Sequence, residues 1–116
     1  MQKDLEQRTK RFALDVIQLA ESLPRRISAD ILACQLLRSA TSMGANYRKA
    51  NRGLSRADFV NKIGTAQREA AEAQYWLAIL IESGPGKSAS AAVDLLPEAT
   101  ERLAIFTRIG KKLEKP

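Results

Sequence analysis

Two carboxylates one helical turn apart, Glu69 and Glu72, have the best spacing in the chain for acid–base chemistry or for holding a hard cation. They align with Trp76 a turn further on. The same spacing suits structural ion pairs, Glu72 with Arg68 and Glu69 with an arginine of a neighbouring helix such as Arg38. Pairing is the expectation, because the partners that catalysis needs are missing. The sequence has no histidine, which removes Ser-His-Asp and Cys-His nucleophiles and the Glu-x-x-His signature of di-iron bundles. Cys34 is the single cysteine, so it has neither a zinc-ligand partner nor an internal disulfide; a lone thiol fits a reducing cytoplasm. The glycines of "SGPGKS" have the wrong spacing for a phosphate-cradling loop and follow no strand. The expectation is a protein without enzymatic activity, metal or cofactor.

The stretch "RSATSMGANYRKANRG", residues 38–53, offers different chemistry. Between Asp30 and Asp58 there is no acidic residue, yet Arg38, Arg48, Lys49, Arg52 and Arg56 lie there, in a chain of net charge +6. Ser39, Ser42, Asn46 and Lys49 recur on one stripe beside them. Hydroxyls, amides and cations are the groups that contact phosphates. Aromatic residues are 5% of the chain, so stacking on single-stranded bases has few candidates, and any binding of RNA or DNA should be backbone-directed and strongly salt-dependent. A charged stripe is equally the solvated face of a helix, and composition leaves both readings open. A second cluster, Arg108, Lys111, Lys112 and Lys115, has a simpler account as cations complementing the dipole of a last helical turn.

The elements that must position these residues follow from periodicity. Leu5, Thr9, Phe12, Val16, Leu19 and Leu23 recur at spacings of four and three. So do Ala29, Ala33, Leu36, Ala40, Met43, Tyr47 and Ala50, then Phe59, Ile63, Ala66, Ala70, Ala73, Leu77 and Leu80, then Leu96, Ala99, Leu103, Phe106, Gly110 and Leu113. An average of 3.5 residues is the period of helices packed at shallow angles. The spacing predicts an all-α protein, one antiparallel up-and-down four-helix bundle over residues 1–116, with helices near 3–23, 28–51, 56–83 and 89–114. Pro24 closes the first helix, Ser28 is the expected cap of the second, and Ser55 with Asp58 forms a capping pair for the third. "SGPGKSAS" at 83–90 is the longest loop, and Pro97 is expected to kink the last helix. No apolar run is long enough to span a membrane, and the N-terminal stretch lacks the apolar segment of a secretory signal.

Gly44 costs about 1 kcal/mol against alanine inside a helix. It is expected to admit a close backbone approach, with the small-residue face of the third helix as the partner. That helix also has more apolar surface than one core needs: Gly64, Ala71, Trp76, Ala78, Ile79 and Ile81 lie off its seam, as Ile17 and Ile105 do elsewhere. Self-association into a homo-oligomer would cover it. A structural adaptor docking a different protein on the same apolar faces is the alternative.

Residues 36–77, "LLRSATSMGANYRKANRGLSRADFVNKIGTAQREAAEAQYWL", resemble the bacterial four-helix-bundle family of 23S ribosomal RNA intervening-sequence proteins. "RSATSMGANY", Phe59, Ala66, Glu69, Glu72 and "YWL" carry the resemblance. It implies a small antiparallel bundle without a catalytic role that assembles as a ring-like pentamer. It also implies kinship with a basic, pentameric accessory protein of diversity-generating retroelements that binds a reverse transcriptase and nucleic acid. Lys49, where the family pattern has an acid, and Pro97 depart from it; the first makes the patch more basic than usual.

Overall fold

The computed structural model describes the backbone of residues 2–84 and 88–114, and side chains within 4–84 and 90–114. The middle of the expected 83–90 loop and Lys115 lie outside the described residues. Four helices account for the chain: α1 (Gln2–Ser22), α2 (Ile27–Asn51), α3 (Arg56–Ser83) and α4 (Ser88–Glu114), with no strand among the described residues. α1 and α3 each pack against α2 and α4 and sit diagonally, without a direct interface between them. The result is a rod of 48 × 23 × 21 Å.

The predicted seams close around one core. Leu5, Thr9, Phe12, Val16 and Leu19 of α1 are all buried, as are Leu36, Ala40, Met43, Tyr47 and Ala50 of α2. α3 contributes Ile63, Ala66, Ala70, Ala73, Leu77 and Leu80. Full burial stabilises by about 1.5–3 kcal/mol for each large apolar side chain. The alanines matter differently: with three of these seam positions small, α3 approaches α2 and α4 closely, and its two interfaces are the most extensive in the bundle. Tyr47 and Phe106 meet with ring centroids 5.6 Å apart.

Several expectations are corrected. Ser28 does not cap α2: Arg26, in extended conformation, takes the cap position without a side-chain bond, and its carbonyl accepts from the Asp30 amide at 2.8 Å. Ser55 does cap α3, accepting from the Asp58 amide at 3.0 Å. As expected, α4 begins near Ser88 and carries Pro97 inside it. The carbonyl that the proline leaves without a donor belongs to Val93, and both residues are exposed, so water can serve it. Gly44 is a close-packing residue, but its neighbour is α1: an added Cβ would stand 3.4 Å from Thr9 Cβ and Oγ1.

The α4 seam also shifts. Its buried stripe is Ala92, Leu95, Ala99, Arg102 and Phe106, whereas Leu96 and Leu103 are half-buried. Arg102, 0% exposed, therefore occupies a core position that periodicity assigns to an apolar residue. Its Nη2 donates to Glu98 Oε2 at 2.7 Å, and its Nη1 lies 3.5 Å from Glu101 Oε1. Nε and Nη1 have no hydrogen-bond partner. Glu101 also accepts from Arg8 of α1, which stands 3.9 Å from Asp4. A ladder of alternating charge thus ties α1 to α4, the least extensive of the four interfaces.

Candidate nucleic-acid interface

The cations of residues 38–56 separate into held and free once the bundle forms. Arg38 of α2 reaches α3 and bonds both expected carboxylates: Nη2 donates to Glu72 Oε1 at 2.6 Å, and Nη1 to Glu69 at 3.2 and 3.3 Å. The bond to Glu72, opposed by desolvation and aided by the field of Glu69, raises the guanidinium pKa above its ordinary value. Glu72 therefore pairs with Arg38 and not with Arg68, whose Nη2 donates to Thr65 Oγ1 at 3.1 Å. The reason is geometric: antiparallel neighbours bring Arg38 between the two acids, while Arg68 points along its own helix. Arg56 is also engaged, with Nη2 donating to the Leu113 carbonyl at 2.6 Å.

The hydroxyl and amide groups of the stripe bond within α2. Ser39 is buried and donates to the Leu36 carbonyl at 3.1 Å; Asn46 donates to Ser42, carbonyl and hydroxyl, at 2.9 and 3.1 Å. Ser39 is thus closed to a phosphate, while Ser42 and Asn46 are half-buried and bonded to each other.

Arg48 and Lys49 remain. Both are exposed, and neither has an ion-pair partner within 4 Å among the described residues. They stand on the last turns of α2, which form a ridge between two grooves. On one side, Arg48, Lys49 and Arg52 line a groove with Gly53, Leu54 and Lys62 of α3. On the other, Arg48 and Arg52 line a groove with Lys10, Thr9 and Glu6 of α1. Lys62 is 3.5 Å from Asp58. Lys10 and Lys62 were not foreseen, because their convergence on α2 depends on how three helices are aligned. Arg52 is half-occupied: its Nη1 donates to Glu6 Oε2 at 3.1 Å and to the Arg48 carbonyl at 3.2 Å. Glu6 also accepts from Asn51 Nδ2 at 2.8 Å, and these bonds, Asn51's first and then Arg52's, hold its carboxyl below the ordinary range.

The apolar candidates divide too. Trp76 and Ile81 pack on the core of their own chain, as does Ile105, so intramolecular packing accounts for part of their apolar surface. Gly64, Ala78 and Ile79 are half-buried, and Ala71 is exposed. Other exposed apolar groups on α2 and α3 are Tyr75 at 57%, Ile31 at 56% and Ile27 at 83%. Ile27 and Ile31 stand on the first turns of α2, at the far end of that helix from Arg48 and Lys49. Among the described residues no three side chains are grouped as metal ligands, and no helix is long and apolar enough to cross a membrane.

Comparison with known proteins agrees with this architecture. A family model described as 23S rRNA-intervening sequence protein matches residues 2–106. Among solved structures, a protein of unknown function from the S23 ribosomal protein family of Bacteroides thetaiotaomicron is 33% identical. The likeness covers 91% of this chain and 97% of that one, with a TM-score of 0.82. No curated protein matches.

Proposed function

The chain belongs to the family of 23S rRNA-intervening sequence proteins, and on that premise we propose that it is a non-enzymatic, cytoplasmic bundle that associates with itself and holds RNA or DNA phosphates on the ridge of Arg48, Lys49 and Arg52. The observation that carries this reading is the contrast between Arg38 and the pair Arg48 and Lys49. Arg38 is consumed by two carboxylates, while Arg48 and Lys49 stand exposed between Lys10 and Lys62 with no ion pair to either among the described residues. Uncompensated cations attract a polyanion most strongly at low salt, and each phosphate neutralised adds about 0.7–0.9 to the slope of log affinity against log salt. Ser39 and Tyr47 are buried, and Asn46 is bonded to Ser42, so the ridge has charge for the backbone and little with which to read bases.

A filter-binding titration against a hairpin RNA of mixed sequence, repeated at several salt concentrations, tests this. Arg48→Ala with Lys49→Ala should weaken binding and flatten the salt slope, while Arg38→Ala should leave both unchanged. No binding at low salt, or equal losses from both sites, refutes it.

Self-association is supported by the exposed apolar groups Ile27, Ile31 and Tyr75. An adaptor role toward another protein would use the same surface. Light scattering at micromolar concentration should find a multimer that Ile31→Asp converts to monomer. A wild-type monomer would remove self-association and favour the adaptor.

A further inference from the structure

In the groove between α1 and α2 one carboxylate is set among cations. Glu6 reaches from α1 to the last turn of α2, where its Oε2 accepts from Arg52 at 3.1 Å and from Asn51 at 2.8 Å. Lys10 and Arg48 line the same groove. We propose that Glu6 is an internal substitute for a nucleic-acid phosphate, occupying Arg52 in the free protein and giving it up when a phosphodiester backbone docks on the Arg48–Arg52 ridge. This rests on the phosphate-binding reading above and adds its regulation.

The chemistry of the exchange is symmetrical. A carboxylate and a phosphodiester each offer two anionic oxygens to a planar guanidinium, and either can take the same N–H donors. Access is open on the arginine side, because the Arg52 side chain is 55% exposed while that of Glu6 is 23% exposed. Arg52 is also held from behind, its Nη1 donating to the Arg48 carbonyl at 3.2 Å, so the guanidinium stays on the ridge when its acid leaves. An ion pair as exposed as this is weak and yields to a polyanion. Glu6 keeps its bond to Asn51 Nδ2 and so cannot retreat far. A displaced carboxylate close to the incoming phosphate repels it, which makes Glu6 a brake on the site as well as a placeholder.

The test is a double-mutant cycle on the full chain, with a hairpin RNA of mixed sequence as probe and melting curves to verify folding. Glu6→Gln is isosteric and can still accept from Asn51 and Arg52. It should bind about two- to five-fold tighter than wild type at low salt, because docking no longer has to displace a carboxylate from Arg52. Arg52→Ala should weaken binding, but by less than Arg48→Ala, because part of the Arg52 contact is spent on displacing Glu6. The gain from Glu6→Gln should vanish when Arg52 is alanine, and Asp4→Asn on the same helix should give no gain. An equal gain with and without Arg52, or the same gain from Asp4→Asn, would show a general charge effect and overturn the proposal. Unchanged affinity in Glu6→Gln, with Arg48→Ala still weakened, would overturn it and leave the phosphate-binding reading standing. If wild type binds no RNA, that reading fails, and this inference with it.

Discussion

Replacing Arg102 by methionine should stabilise this protein. The guanidinium is 0% exposed at a seam position between Ala99 and Phe106, and two of its nitrogens, Nε and Nη1, lack hydrogen-bond partners. Each such buried donor costs about 1–3 kcal/mol. Against this stand one bond to Glu98 at 2.7 Å and a 3.5 Å approach to Glu101, both acids half-exposed and weakened by water. Exchanging a buried ion pair for an apolar side chain of similar volume is neutral or stabilising by about 1–4 kcal/mol. Arg102→Met should therefore gain about 1–2 kcal/mol, and Tm should rise by roughly 4–8 °C. Arg102→Ala removes the charge but leaves a void, and should fall about 2–5 kcal/mol below the methionine variant. Denaturant unfolding at one protein concentration measures both, since self-association makes stability concentration-dependent. A methionine variant less stable than wild type by about 1 kcal/mol or more would refute the reasoning. It would mean that the charge ladder from α4 to Arg8 returns more than desolvation takes.

Three further outcomes are expected. Ser55→Ala loses the bond to the Asp58 amide and should cost about 1 kcal/mol in denaturant unfolding. Gly44→Ala should be close to neutral, since better helix propensity offsets crowding at 3.4 Å, whereas Gly44→Val drives methyls into Thr9 and should cost about 1–3 kcal/mol by the same measurement. The Glu101 carboxyl is held below its ordinary value of 4.5, first by the Arg8 hydrogen bond and then by the field of Arg102. A carboxyl depressed in the folded state contributes stability that is present above 4.5 and lost as pH falls below it. Tm should therefore drop between about pH 6 and pH 3, and less steeply in Glu101→Gln.

The sequence by itself determined the four helices, their antiparallel order and most of the core. A 3.5-residue apolar period belongs to each helix separately and needs no knowledge of its neighbours. Leu5 through Leu19 and Ile63 through Leu80 are buried as that period requires. Propensity and period together could not place Arg102 in the core, since a charged residue at a seam position reads as a break in the pattern. Nor could they separate the five cations of residues 38–56. Whether an arginine is free or held depends on which carboxylate faces it from another helix, and that is a matter of register. Arg38 met Glu69 and Glu72 of α3, Arg52 met Glu6 of α1, and Arg48 and Lys49 formed no ion pair among the described residues. Gly44 shows the same division. Its small size was readable as a demand for close packing, but only the assembled bundle decided that Thr9 of α1 fills the space. Local chemistry repeats along one chain and is legible there; pairing across helices is fixed by a packing arrangement that exists only when all four have met.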